Sequence, residues 1–207
     1  MNNNKDMPQN STKALKGFYE ILEMIVMAAA ITVLVFMFLG RLTVVDGDSM
    51  NYTLIDKEVL VVSDFAYTPE SGDIVVFQAP GTAITANAIV KRVIATEGQT
   101  VDIDFNNWIV YVDGEPLYKD DNGNPMREPY INDEQFEAYG VPMRRGNVYG
   151  YDSVEYPYVV PEGKVFLMGD NRNKSRDSRE SGAVDSRFIF GKVILRLAPI
   201  SKFGFVD

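Results

Sequence analysis

Three short segments hold the residue types that could do chemistry. The first, Val45-Asp46-Gly47-Asp48-Ser49-Met50-Asn51-Tyr52-Thr53-Leu54, offers the hydroxyl of Ser49; the second, Ile89-Val90-Lys91-Arg92-Val93-Ile94, offers two adjacent cations. The third, Gly169-Asp170-Asn171-Arg172-Asn173-Lys174-Ser175-Arg176-Asp177-Ser178-Arg179, is a dense run of carboxylates, guanidinium groups and hydroxyls after the apolar stretch Val165-Phe166-Leu167-Met168. The 207 residues include no histidine and no cysteine. A Ser-His-Asp triad, a Cys-His dyad, a disulfide and a thiolate metal cluster are therefore excluded. Acid-base work falls to Lys, Asp, Glu or Tyr, and a Ser-Lys dyad is one known way to activate a serine nucleophile.

Each segment also has a plainer reading. A serine between Asp and Met is most often a turn residue. Period-2 alternation puts Ile89, Lys91 and Val93 on one face and Val90, Arg92 and Ile94 on the other, so each face carries one cation. If the sheet is covered on both sides, one cation is desolvated, and a desolvated lysine loses affinity for its proton. A neutral amine can then act as a base, which arginine cannot. On an edge strand, both cations would instead sit in water. The third segment reads either as a fixed hydrogen-bonded network or as a solvated charged loop.

The elements that must position these groups read as strands. After Arg41 no long stretch keeps a 3.6-residue period, whereas apolar runs of four to six residues recur at 59–62, 74–77, 89–94, 108–112, 165–168 and 193–197. Asp113-Gly114 between Val110-Tyr111-Val112 and Glu115-Pro116-Leu117 is a hairpin-turn signal. The expected fold class is mostly β, with residues 102–163 as an inserted, small β-rich lobe whose core is rich in Asp, Asn, Gly, Pro and Tyr. Within it, Asp120-Asp121-Asn122-Gly123-Asn124 lacks the glycine and the glutamate of a calcium loop and reads as an acidic turn. Tyrosines 139, 149, 151, 156 and 158 read as packing residues. No metal and no cofactor are expected.

Ahead of the β region, residues 1–17 form a polar tail with Lys5, Lys13 and Lys16. Residues 18–40 then form an expected transmembrane anchor. From Ile21 to Gly40 there is one charge, Glu23, in twenty residues; at about 1.5 Å per residue these match the roughly 30 Å hydrocarbon core. A cleavable signal peptide fits less well, because Ala28, Ala29 and Ala30 lie mid-run and the exit is Gly40-Arg41-Leu42-Thr43. The lysines before the span put the N-terminus in the cytoplasm and residues 41–207 outside. The net charge of -9 argues against nucleic acid as a partner. Ser49 stands nine residues beyond Gly40, so it lies within roughly 30 Å of the bilayer surface even on a fully extended chain.

In order and wording the motifs resemble those of type I signal peptidases, the membrane-anchored Ser-Lys proteases that remove signal peptides from exported proteins. The resemblance rests on Gly47-Asp48-Ser49-Met50 with Thr53-Leu54, on Gly72-Asp73-Ile74-Val75-Val76-Phe77, and on Lys91-Arg92-Val93-Ile94. It continues through Gly169-Asp170-Asn171-Arg172, Ser175, Asp177-Ser178-Arg179, Gly182, Val184 and Phe190-Gly191-Lys192-Val193. One anchor and a short chain resemble the Gram-positive form. The resemblance implies an extracytoplasmic antiparallel β-sheet catalytic domain of a signal-peptidase-like or LexA-like fold, acting as a monomer on secretory preproteins at the lipid bilayer. It implies Ser49 as nucleophile, Lys91 as general base and Ser175 as the residue that orients the lysine amine. Asp170 with Arg92, and Asp177 with Arg179, would be ion pairs near the site. Cleavage would follow an Ala-x-Ala-type sequence.

Two positions depart from the family pattern: Tyr52 replaces the usual proline, and Gly47 stands where some members carry a serine that donates to the oxyanion. The Ser49 backbone N–H would remain as one such donor. An inactive membrane-tethered binding module of the same fold, or a specialised Ser-Lys peptidase with few substrates, would share these motifs. A self-cleaving repressor-type peptidase would carry a DNA-binding domain in place of the apolar run.

Overall fold

A computed structural model describes residues 9–51, 53–78, 88–128, 131, 143 and 154–206, with the side chains of the first helix described from 15 to 33. Tyr52 and tyrosines 139, 149 and 151 lie outside the described residues. The chain forms two compact units, Met1–Gly40 and Arg41–Asp207.

The first unit is the helix α1, Gln9–Leu39. Of its apolar side chains, Ile21, Met24, Ile25, Val26, Met27, Ile31 and Val33 are more than half exposed. Among the described residues no helix is long and apolar enough to cross a membrane.

The second unit is built from antiparallel strands. Through the first sheet run β1 (Arg41–Val44), β2 (Val59–Ser63), β3 (Ile74–Phe77) and β4 (Ile89–Thr96). Then come β5 (Thr100–Asp104), β6 (Ile109–Val112), β7 (Glu115–Pro116), β8 (Tyr118–Lys119), β9 (Pro125–Met126) and β10 (Tyr158–Val159). The chain closes with β11 (Lys164–Met168), the one-turn helix α2 (Ser178–Ser181), β12 (Val184–Asp185), β13 (Ile189–Ala198) and β14 (Gly204–Phe205). The main sheet has the order β1-β2-β13-β3-β4-β11-β12, with β14 on β13; a second sheet runs β10-β5-β6-β7, and β8 pairs with β9.

The main sheet is covered on both faces where it matters. All four residues of β3 are buried. Ile74 and Val76 pack with Leu60, Val62, Val90 and Val193, while Val75 and Phe77 pack with Val93, Val165 and Leu167. Apolar side chains on both faces of one strand are what a two-sided core requires. Along β13 the register slips between Ile189 and Gly191. Gly191 has φ +148°, and a Cβ there would strike the backbone carbonyl of Ser63, so only glycine lets β13 cross β2 so closely.

All six apolar runs fall in strands, with adjusted ends. The run at 108–112 begins one residue late, because Trp108 has φ +60° and turns the chain into β6. Tyr111 pairs with Pro116 and Val112 with Glu115, leaving Asp113 and Gly114 at φ +54° and +81° as the two-residue turn. β5, Thr-Val-Asp-Ile-Asp, escapes an apolar-run reading because its outward positions are turn-type residues, while Val101 and Ile103 are buried. The lobe's neck is a pair of bonds, Gly98 N–H to Val160 O and Val160 N–H to Gln99 O, each 2.9 Å. Val101, Ile103, Phe105, Trp108 and Val110 share one core with Ile94, Ala95, Phe166 and Met168 of the main sheet. Tyr156 and Tyr158 pack against it, edge-on to Phe105 and tilted on Phe166. Asp120 accepts from Asn122 N–H, Asn124 N–H and Asn124 Nδ2, so its carboxylate is used by its own turn.

Candidate active site

Ser49 sits half-buried in the loop between β1 and β2. That loop is held at its base by Val45 N–H to Glu58 O and Lys57 N–H to Val45 O, both 2.9 Å. It is pinned to the core by Met50 and Leu54, which are buried against Leu60, Val62, Val76 and Val90. Its turns close through Asn51 N–H to Asp48 O at 3.0 Å and Leu54 N–H to Met50 O at 2.9 Å. Burying these two side chains fixes the loop against the core.

Lys91 comes from β4, which lies between β3 and β11. The edge-strand alternative therefore fails, and both cations are buried, Lys91 at 2% exposure and Arg92 at 4%. Lys91 Nζ lies 2.6 Å from Ser49 Oγ and 2.9 Å from Val90 O. Burial pushes the Lys91 amine down from 10.5 to about 8; the charges of Asp177 and Asp170 oppose this, and that of Arg179 adds to it. An amine in that range is partly neutral near physiological pH and sits against a hydroxyl.

The loop after β11 supplies the surrounding charges. Arg92 donates to Asp170 through Nε at 3.0 Å and Nη2 at 2.9 Å, and to Gly72 O at 2.7 Å. Asp170 also accepts from Thr53 Oγ1 at 2.6 Å, which ties the Ser49 loop to the Lys91 strand. Arg179 grips Asp177 through Nε and Nη2, each at 2.8 Å. Burial alone would raise the Asp177 carboxyl. The Arg179 charge, with donors from Arg179, Gly169 N–H and Ser175, outweighs burial and holds it at about 2. Asp177 thus remains a carboxylate and caps α2 by accepting from Arg179 N–H. The Ser175 hydroxyl donates toward Asp177 and lies 3.5 Å from Arg176 O. Asp177 in turn acts on Lys91 by its charge.

All seven site residues read from the sequence, Ser49, Lys91, Ser175, Asp170, Arg92, Asp177 and Arg179, belong to this one network. Four more were not singled out. Asn171 bonds the carbonyls on either side of Ser49, through Nδ2 to Asp48 O at 2.9 Å and backbone N–H to Ser49 O at 3.0 Å. A Cβ on Gly169 would collide with the Ser175 side chain and lie 2.5 Å from Ser49 O. Fully buried Glu128, from the lobe, pairs with fully buried Arg172, whose Nε donates to Gly169 O at 3.1 Å. Asn171, Gly169 and Arg172 lay in a quoted motif, but no spacing rule assigns their partners. Glu128 carried no sequence signal.

Gly47 N–H, at the position of the departure noted above, donates to Asp56 Oδ1 at 2.9 Å. It is therefore engaged within its own loop. Among the described residues no group of three or more acidic side chains could hold a metal ion.

The family described as "Signal peptidase, peptidase S26" matches residues 18–198. A "Probable signal peptidase I-1" of Synechocystis sp. is 34% identical over 193 residues, covering 89% of this chain and 85% of that protein. "Signal peptidase IB" of Staphylococcus aureus (strain COL) is 34% identical over 199 residues, covering 89% and 93%. A solved signal peptidase I from Enterococcus faecalis V583 is 26% identical, covers 61% of this chain and 97% of its own, and superimposes with a TM-score of 0.40. With a family match over most of the chain and relatives this similar along nearly their whole length, the chain belongs to the signal peptidase, peptidase S26, family.

Proposed function

We propose that this peptidase is a membrane-bound serine endopeptidase that cleaves signal peptides from exported preproteins after Ala-x-Ala-type sites, with Ser49 as nucleophile and Lys91 as general base. The observation that carries the reading is the 2.6 Å contact between Lys91 Nζ and Ser49 Oγ in a site that buries the amine. Neutral Lys91 takes the proton of Ser49 as Oγ bonds to the scissile carbonyl carbon. The C–N bond then breaks, and the Lys91 ammonium returns the proton to the leaving amine. Water, deprotonated by Lys91, attacks the ester carbonyl; the acyl C–Oγ bond breaks, the acid leaves, and the Lys91 ammonium returns the proton to Ser49 Oγ. The buried ion pairs Arg92–Asp170 and Arg179–Asp177 hold the two reacting groups at one distance.

The exposed apolar side chains of α1 and the run from Ile21 to Gly40, in which Glu23 is the one charge, support a role for this helix as a single membrane anchor. In this reading the N-terminus is cytoplasmic and the peptidase unit extracytoplasmic, and the substrates are secretory preproteins presented at the lipid bilayer. The enzyme acts as a monomer and needs no cofactor, the chemistry being supplied by hydroxyl and amine.

The test is cleavage of a precursor bearing Ala-x-Ala before the cut by the purified full chain. Ser49→Ala and Lys91→Ala should each abolish product while leaving the circular dichroism of the β unit unchanged. Processing at near wild-type rate by either variant would overturn the assignment.

A further inference from the structure

We propose that Asn171 is a positioning residue for the oxyanion site, acting by fixing the peptide plane that carries the Ser49 N–H. The proposal rests on the reading of Ser49 as nucleophile. Two bonds from this one residue take the carbonyls that flank Ser49: Nδ2 to Asp48 O at 2.9 Å, and backbone N–H to Ser49 O at 3.0 Å. Both peptide units on either side of the nucleophile are thus held by the loop after β11. Asn171 is itself buried, at 5% exposure.

A trans peptide places its C=O and N–H on opposite sides. The Asp48–Ser49 unit turns its carbonyl to Asn171 and so directs the Ser49 N–H away from it. Among the described residues no acceptor is paired with that N–H. The neighbouring candidate, Gly47 N–H, is already bonded to Asp56 Oδ1. A backbone donor beside the nucleophile, fixed in direction and left without an acceptor, is what stabilisation of a developing oxyanion needs.

The geometry also separates this role from folding. Asp48 O accepts a second bond from Asn51 N–H at 3.0 Å, so removing the Asn171 amide does not strand a buried carbonyl. The backbone bond from residue 171 to Ser49 O survives any substitution except proline. What the amide adds is a second constraint on one peptide plane.

The experiment compares Asn171→Leu, which keeps the branched shape without the donor, and Asn171→Ala with the wild-type full chain. Ser49→Ala is run alongside. The readouts are kcat and KM on an Ala-x-Ala precursor, the pH dependence of kcat/KM, and affinity for a peptide aldehyde ending in Ala-x-Ala. In the aldehyde adduct Ser49 Oγ bonds the aldehyde carbon and the aldehyde oxygen takes the oxyanion position. Loss of an oxyanion donor costs about 10²- to 10³-fold in kcat; loosening one should cost on the order of 10- to 100-fold in both variants, with KM within about twofold. Aldehyde affinity should fall in parallel, and the pH midpoint should stay in place. Wild-type kcat in Asn171→Leu, or a loss accompanied by a moved pH midpoint and unchanged aldehyde affinity, would overturn the proposal while leaving Ser49 as nucleophile. Activity retained in Ser49→Ala would instead overturn the reading beneath it.

Discussion

Lys91 carries two opposed demands. It must be buried to lose its proton at working pH, yet a buried amine disfavours the folded state whenever it is charged. Its fall from 10.5 to about 8 corresponds to about 3 kcal/mol. The sign follows from proton counts. Between about pH 8 and 10.5 the unfolded chain binds more protons at this residue than the folded one, so stability rises with pH across that window and the penalty is fully present below it. In the proposed mechanism activity follows the same titration, because only the neutral amine would accept the Ser49 proton. We expect kcat/KM to rise about tenfold per pH unit below about pH 8 and to level off above it. A pH profile flat from 6 to 9 would show that Lys91 is not the base.

At the scale of elements, catalysis depends on how closely two loops approach. The Ser49 loop and the loop after β11 meet through Thr53–Asp170, Asn171–Ser49 and the space left by Gly169. Because the collision at residue 169 would be with a backbone carbonyl and a buried serine, neither can swing aside as the end of a flexible side chain would. Gly169→Ala should therefore separate Ser49 from Lys91 and reduce kcat at least 100-fold. The sheet, whose strand-to-strand ladders do not run through residue 169, should remain folded, with a loss of about 1 to 3 kcal/mol from overpacking. Urea denaturation together with precursor cleavage measures both effects. A variant with normal turnover would show that the loops need not approach so closely.

Across the whole molecule, the lobe is tied to the loop after β11 by the fully buried ion pair Glu128–Arg172 and to the main sheet by a shared apolar core. Removing one partner of a buried ion pair costs about 3 to 5 kcal/mol. Glu128→Ala should thus lower stability by that amount and reduce turnover, although Glu128 is remote in sequence from every reacting group. Replacing both partners, as Glu128→Leu with Arg172→Met, should recover most of the stability, since an apolar pair of similar volume is often neutral. Denaturant midpoints of the single and double variants decide it. A double variant no more stable than Glu128→Ala would place the effect outside the ion pair.

The sequence determined the chemistry available and much of the frame. The lack of histidine and cysteine left acid-base work to Lys, Asp, Glu or Tyr, and alternation along β4 already put Lys91 and Arg92 on opposite faces. Apolar runs located the strands because burial on both faces demands them, and Asp113-Gly114 located its hairpin because few residues tolerate that turn. Strands with polar outward positions, such as β5, stayed invisible. Only the tertiary structure decided that β4 is interior and not an edge, since covering a strand depends on β3 and β11, far away in the chain. It also decided that Asn171 holds the carbonyls around Ser49 and that Glu128 neutralises Arg172. These are contacts between segments separated by tens of residues, and a hydrogen bond or ion pair leaves no periodic trace in either partner's own sequence.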